Sequence, residues 1–361
     1  MRKVIILGAT GSIGTTALNA IREGKIDAKV VGLVAHSSIE RTKELASEFN
    51  CPFYINSSDE GLTSFLNKLE ADIVLNGIAG SPGLFASIAS LEAGFDLALA
   101  NKESIVMGGA FLLSLAKKLG RRIIPVDSEH SAIYHLICDH KDVSSLVITA
   151  SGGPFLGRKD LYNVTVEEAI NHPTWKMGKK ISVDSATLAN KGLEVIEAGF
   201  LFNMSAEDIE VTIHRQSIVH SLIRLKNGSV YAQLSPPDMT LPILSAIADG
   251  HQILEHSVKP LSFSNLDLTF RSWDKNEFPL LSLAYEALKK RASYPIAFNA
   301  ANEEAVHLFL SHRLHFTDIA RITEEVMQYD FSSTCSDYQS IVIEDKRARD
   351  LALEKAAKWL Y

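Results

Sequence analysis

Short apolar runs at residues 4–7, 30–35, 73–75, 97–100, 123–126 and 146–150 alternate with segments of helical periodicity such as 12–22 and 40–49. Few folds are open to such a chain. Brief runs without polar alternation are strands buried on both faces, and helix-length segments between them make the crossovers of a parallel sheet. The 361 residues exceed what one hydrophobic core usually holds, so further domains are expected. The pattern changes near Ser151. Residues 160–180 are polar and loop-like with one short helix, residues 185–202 read as a helix, and 209–213, 218–225 and 230–234 as strands. Asn227-Gly228 between the last two is a hairpin signal. Residues 254–278 lack periodicity, and 281–290, 303–311, 318–329 and 346–360 are helical in pattern. The expected organisation is an α/β chain. It has a Rossmann-like nucleotide domain (1–148), an α+β catalytic and dimerisation domain (149–253), a linker (254–279) and a C-terminal helical bundle (280–361).

A net charge of -7 argues against nucleic acid or an anionic membrane as the main partner. No stretch is long and apolar enough to span a bilayer. Cys51, Cys138 and Cys335 have neither metal spacing nor an even count, which fits free thiols in a reducing cytoplasm.

Gly8-Ala9-Thr10-Gly11-Ser12-Ile13-Gly14 follows the first strand and opens a helix. Glycines there let the backbone approach a pyrophosphate, and the helix start supplies N–H donors. The spacing is GxxGxxG rather than the usual GxGxxG. A tight turn without ligand is the plain alternative. The second strand ends in His36-Ser37-Ser38, with no carboxylate until Glu40. An acid for the ribose 2′-hydroxyl of NAD is therefore missing, and His36, Ser37, Ser38 or Arg41 can meet a 2′-phosphate, which favours NADP. Ser37 and Ser38 also suit the start of the next helix. Asn101-Lys102-Glu103-Ser104 follows another strand and should share the same sheet edge, although a solvated charged turn has the same composition.

Asp127-Ser128-Glu129 extends residues 123–126. Read as continued strand, its two carboxylates face one side and call for a cation or a proton. Asn190, Lys191 and Glu194 share one side of a helix. A surface ion pair is the commonplace reading of Lys191 and Glu194. Nearby Ser185 and Ser151-Gly152-Gly153 shift it towards a phosphate site, because hydroxyl, amide, ammonium and glycine N–H groups are what the dianion needs. Glu194 then adds a third carboxylate to Asp127 and Glu129, a hard-oxygen set for Mg²⁺ or Mn²⁺. His172-Pro173-Thr174-Trp175-Lys176-Met177-Gly178 reads as a lid with Trp175 over substrate, or as a loop that Trp175 anchors to the core.

Together these residues resemble the 1-deoxy-D-xylulose 5-phosphate reductoisomerase family. The resemblance covers essentially the whole chain, through residues 8–14, 101–104, 125–131, 151–155, 172–178, 182–197, 216–221, 237–239 and 299–303. It implies an NADPH- and metal-dependent isomerisation and reduction of 1-deoxy-D-xylulose 5-phosphate to 2-C-methyl-D-erythritol 4-phosphate, by a homodimer. It also implies roles. Asp127, Glu129 and Glu194 are metal ligands. Lys102, Ser128, Glu129, Ser151, His172, Ser185, Asn190 and Lys191 contact substrate, with Ser151, Ser185, Asn190 and Lys191 at its phosphate. Thr10, Gly11, Ser12 and Ile13 hold the pyrophosphate, and Asn101, Glu103 and Gly178 touch NADPH elsewhere. The chain departs from the family at His36-Ser37-Ser38, where Gly-Lys/Arg-Asn is frequent, and at Arg215, where proline is common. Two rivals predict other residues. An NADP-dependent semialdehyde-type dehydrogenase needs a thiol nucleophile, and an NADP sensor needs neither the acids nor the phosphate set.

Overall fold

A computed structural model describes residues 1–56, 58–175, 177–248 and 257–360. By contacts the chain forms two compact units. The first comprises Met1–Ile105, Ala110–Asp139 and Asp238–Phe263, the second Val106–Gly109, His140–Pro237 and Ser264–Tyr361. These units cut across the sequence-based boundaries at 148/149 and 279/280, and the boundary at 253/254 lies outside the described residues.

The first unit alternates as the apolar runs require: β1 (Arg2–Leu7), α1 (Ser12–Arg22), β2 (Ala28–Ala35), α2 (Ile39–Glu48), β3 (Phe53–Ile55), α3 (Asp59–Leu66), β4 (Ile73–Asn76), α4 (Gly83–Glu92), β5 (Asp96–Leu99), α5 (Lys102–Leu119), β6 (Ile123–Pro125) and α6 (Ser128–Asp139). All six strands are parallel, in the order β3-β2-β1-β4-β5-β6. β3 is a run of only three residues, Phe53-Tyr54-Ile55, directly after Pro52, and is too short to stand out from sequence. Because every strand points the same way, the carboxyl ends of β1, β2, β4, β5 and β6 share one edge. The order reverses between β1 and β4, which makes that crevice the natural ligand site of an open α/β sheet.

The second unit contains β7 (Val143–Ala150), α7 (Val166–Ile170), α8 (Lys179–Ala186), α9 (Ala189–Leu201), β8 (Ile209–Ile213), β9 (Val219–Leu225) and β10 (Val230–Leu234). Its sheet runs β10-β9-β7-β8. β7 therefore does not extend the parallel run of the first unit, as the sequence pattern implied. It lies antiparallel to β9 and parallel to β8. Apolar patterning marks a strand but not its partner: residues 126–142, with α6 among them, are long enough for a parallel crossover, so nothing local separates the two pairings.

α10 (Thr240–Ala248) then returns to the first unit, where Ile243, Leu244 and Ile247 are fully buried in the core with Val4, Ile6 and Leu18. Burial of each such side chain stabilises by about 1.5–3 kcal/mol. No helix was expected in this segment. Residues 264–278 belong to the second unit, where Arg271 bridges to Ile213. The helical end consists of α11 (Pro279–Lys290), α12 (Tyr294–Leu310), α13 (Asp318–Met327) and α14 (Tyr338–Ala356). α12 and α14 start earlier than their periodicity indicates. Pro295 occupies the first turn of α12, and Asp337 caps α14 by accepting from Ser340 N at 2.7 Å.

Candidate active site

The glycine loop is built by close approach. Gly8 has φ +76, and a Cβ on Gly14 would lie 2.5 Å from Gly8 O and 2.7 Å from Ala9 Cα. Only hydrogen fits there, so α1 starts hard against the end of β1. Gly8 N and Ala9 N each donate to Val34 O at 2.9 Å, tying the loop to the end of β2. No side chain caps the first turn of α1, whose residues include Ser12 and Ile13. Thr10 is half-buried and Gly11 is the capping residue. His36, Ser37 and Ser38 follow β2 and are exposed, with His36 Nδ1 3.0 Å from Asn56 O. Ser38 also serves as the cap position of α2, so the helix-start reading of this pair holds.

Asn101 caps α5. Its side chain accepts from Ser104 N at 3.0 Å, and its amide donates to Gly80 O and to Glu103 Oε2, both at 2.9 Å. These bonds join the loops after β4 and β5 and fix the orientation of Lys102, the first residue of α5.

Lys102 reaches Asp127, and both side chains are largely buried. Burial alone would push the Asp127 carboxyl up. The Lys102 ammonium, His130 and a hydrogen bond with Glu129 outweigh it and hold the group well below the usual carboxylate range. Ser128 Oγ donates to Glu129 Oε2 at 2.5 Å. The strand geometry expected for Asp127-Ser128-Glu129 is not present: β6 ends at Pro125 and α6 starts at Ser128. Ser128 and Glu129 therefore sit in a first helical turn, not on alternating faces of a strand. The acids converge because the turn folds back, and this also explains how Ser128 can join them. His130, fully buried beside Asp127, escaped notice because a strand reading directs it elsewhere.

The Asp127–Lys102 pair gives a pH prediction. A carboxyl whose folded value lies below the unfolded one contributes stability that is complete above about pH 4–5 and lost as pH falls through the folded value. Lys102→Met removes the compensating charge. With a chelator present, the variant is expected to lose roughly 3–5 kcal/mol and to begin acid unfolding at higher pH than the parent. Thermal unfolding as a function of pH measures this; an unchanged acid limb would rule the pairing out as its cause.

In the second unit the 185–202 segment is two helices, not one. Leu188 has φ +56, a left-handed residue at the junction of α8 and α9. Apolar periodicity carries through such a corner, so the break was not evident. Ser185 ends up in the last turn of α8, while Asn190, Lys191 and Glu194 share α9 as expected. Asn190 Nδ2 donates to Glu194 Oε1 at 2.6 Å, and Lys191 Nζ pairs with the other carboxylate oxygen. Lys191 is 4% and Glu194 1% exposed, so this is no surface ion pair.

The 151–153 turn packs onto α8. Gly153 has φ +65, and a Cβ there would stand 2.7 Å from Ser185 O. Ser151 and Ser185 are thus brought to one place by a glycine contact. His172 Nε2 lies 3.0 Å from Ser151 Oγ. Its Nδ1 accepts from Thr174 N at 3.1 Å and from Trp175 N at 2.9 Å, which places the ring proton on Nε2, donating to Ser151. Burial, with the Arg215 charge adding to it, pushes the His172 imidazolium down to about 4, so the ring is neutral at pH 7. Trp175 is half-buried, its ring 6.5 Å from that of His220. Gly178 is exposed at the start of α8, and Lys176 lies outside the described residues.

A six-stranded sheet in this order, with a glycine loop at its reversal point, defines a dinucleotide-binding α/β protein. Comparison with known proteins narrows the class. Residues 4–60 and 53–109 match the family model of 1-deoxy-D-xylulose 5-phosphate reductoisomerase. Residues 123–202 match the model of that enzyme's C-terminal domain, and 234–351 a further DXP reductoisomerase C-terminal model. The 1-deoxy-D-xylulose 5-phosphate reductoisomerase of Treponema denticola is 46% identical over 98% of this chain and 97% of its own length. That of Treponema pallidum is 44% identical over 97% and 96%. A crystal structure of DOX-P reductoisomerase in complex with NADPH, fosmidomycin and magnesium superposes with TM-score 0.91 at 36% identity, covering 99% of each chain. The Zymomonas mobilis enzyme in complex with NADPH gives 0.89 at 34%, covering 98% of each. The chain belongs to the 1-deoxy-D-xylulose 5-phosphate reductoisomerase family.

Proposed function

We infer that the protein isomerises and reduces 1-deoxy-D-xylulose 5-phosphate to 2-C-methyl-D-erythritol 4-phosphate, using NADPH and a divalent metal, in non-mevalonate isoprenoid precursor synthesis. The observation that carries this reading is a nearly full-length match to reductoisomerases, one of them solved with NADPH, fosmidomycin and magnesium.

The residues suit both groups. Thr10, Gly11, Ser12 and Ile13 would hold the pyrophosphate on the uncapped start of α1, with His36, Ser37 and Ser38 towards the 2′-phosphate and Asn101, Glu103 and Gly178 towards the rest of NADPH. Asp127, Glu129 and Glu194 would ligate Mg²⁺ or Mn²⁺. Support comes from their chemistry: Asp127 is held ionised, and Glu194 is a buried carboxylate already oriented by an amide and an ammonium. When bound, the metal supplies Lewis-acid polarisation of substrate oxygens and NADPH supplies the reducing equivalent.

The chain's own groups bind and orient. Ser151, Ser185, Asn190 and Lys191 grip the phosphate, so binding energy remote from the reacting carbons fixes their position. Neutral His172 donates to Ser151 Oγ, and Gly153 N donates to the same oxygen at 3.3 Å, which leaves the hydroxyl proton of Ser151 to point at the phosphate. Lys102, charged and beside Asp127, stabilises negative charge developing on substrate oxygen. Ser128 orients Glu129, and Trp175 covers the substrate against water. Cys51 is ill suited to the thiol route of a semialdehyde-type dehydrogenase: burial pushes its thiol up to about 11.

NADPH oxidation with 1-deoxyxylulose 5-phosphate, with and without Mg²⁺, tests the reading directly. Turnover that persists after thorough chelation, or no turnover with the metal restored, would overturn it.

A homodimer built on the second sheet is part of the same reading. β10 is an edge strand, and Val230 (52%) and Tyr231 (42%) leave apolar surface on it. Val230→Asp with Tyr231→Lys is expected to shift the protein to monomer in sedimentation velocity; an unaltered dimer would move the interface elsewhere. No helix of the described residues is long and apolar enough to cross a membrane. The cytoplasm is the proposed location, in keeping with three free cysteines among the described residues.

A further inference from the structure

The geometry points to Arg215 as a positioning residue for the phosphate end of the substrate, acting through the 151–153 turn. The inference rests on the assignment of Ser151 and Ser185 to the phosphate.

Arg215 follows β8 on a corner that is rigidly built. His214, immediately before it, is fully buried. His214 N donates to Ala150 O at 2.7 Å, fastening the corner to the end of β7. The His214 ring fixes the rest. Its Nε2 accepts from Ile218 N at 3.2 Å and Val219 N at 3.1 Å, so Nδ1 carries the proton and donates to Thr269 O at 2.9 Å. The backbone that launches Arg215 is thereby locked on three sides.

From that corner the guanidinium returns to the neighbouring loop. Nη1 donates to Gly153 O at 2.8 Å and, at the long limit, to Ser151 O at 3.4 Å. These carbonyls flank Gly152, and Gly152 (φ +82) and Gly153 (φ +65) are both left-handed. A turn of two consecutive left-handed glycines has little intrinsic preference for one shape, since glycine visits many others at no steric cost. An external clamp is what selects it. Drawing the Ser151 carbonyl towards the cation turns the Gly152 N–H, on the opposite edge of the planar peptide, the other way. The same turn sets the Ser151 hydroxyl that His172 holds from the other side, and it seats Gly153 against Ser185 O. Arg215 thus orders the loop that contributes one half of the anion site without occupying the site. Its charge adds positive potential for a dianion at no cost in contact space.

The enzyme as it exists, full-length with NADPH and Mg²⁺, provides the test. Arg215→Gln is expected to raise the KM for 1-deoxyxylulose 5-phosphate, and the Ki of inorganic phosphate as a competitor, by about tenfold or more, the loss of a charged hydrogen bond to the turn. kcat should fall far less than KM rises, and the KM for NADPH should not move. Arg215→Lys should recover part of the effect, because charge returns while the planar guanidinium that directs Nη1 at the two carbonyls does not. A merely structural arginine would lower the melting temperature and move both KM values, or neither; either pattern overturns the proposal. Ser151→Ala separates the two levels of the argument. If it leaves substrate KM and phosphate inhibition unchanged, the phosphate assignment fails and this inference with it. If it raises both while Arg215→Gln does not, the assignment stands and Arg215 alone is dismissed.

Discussion

Glu194→Gln is expected to cut turnover by roughly 10³-fold or more at limiting Mg²⁺ while NADPH affinity stays as it was. A cation acting as Lewis acid contributes several kcal/mol to the chemical step, and each 1.36 kcal/mol is a factor of ten. Glutamine keeps the volume of glutamate and removes one negative oxygen, so the loss falls on charge rather than packing. The residue is 1% exposed, and Asn190 and Lys191 hold its two oxygens. The variant also removes the carboxylate charge that faces the Lys191 ammonium, which is 4% exposed. A fall in melting temperature should accompany the loss of activity. Titrating turnover with Mg²⁺, beside NADPH binding and thermal unfolding, distinguishes a lost ligand from a damaged fold. Full activity at limiting metal would sink the assignment of Glu194 to the ion.

Gly14→Ala is expected to act on the other ligand. The added methyl would meet Gly8 O and Ala9 Cα, both backbone atoms that cannot rotate away. Relief requires α1 to withdraw from the end of β1, a shift of the kind that costs about 1–3 kcal/mol. The first turn of α1 moves with it, so NADPH affinity should fall by about ten- to a hundredfold. Phosphate binding by the second unit should remain. Calorimetry with NADPH and, separately, phosphate inhibition would show the split; unchanged NADPH affinity would mean that the loop does not hold the pyrophosphate.

What sequence revealed and what it hid follow a physical line. The strands of the first sheet were legible because burial on both faces leaves uninterrupted apolar runs. β3, at the edge and only half-buried, carries a run of just three residues, too short to mark a strand. Local pattern could not assign β7 to its sheet, since pairing is a long-range choice. The acids Asp127, Glu129 and Glu194 stood out as chemistry, yet the strand reading of 127–129 gave the wrong geometry for the first two. One turn of α6 does that work, and it also brings in His130. Likewise the left-handed Leu188 splits a helix whose periodicity looked continuous. Arg215 was conspicuous in sequence, but nothing short of coordinates could show its guanidinium on the Ser151 and Gly153 carbonyls.

The return of α10 to the first unit has a consequence for biosynthesis. Ile243, Leu244 and Ile247 complete a core whose strands are finished by β6, yet they leave the ribosome only after the entire second sheet has emerged. The nucleotide-binding unit therefore cannot close as soon as its own strands are made. Its apolar wall stays open while β7 to β10 are being synthesised, an interval in which exposed core surface is open to chaperones and to aggregation. Expression of the first 139 residues alone would yield a sheet with one side of its core uncovered.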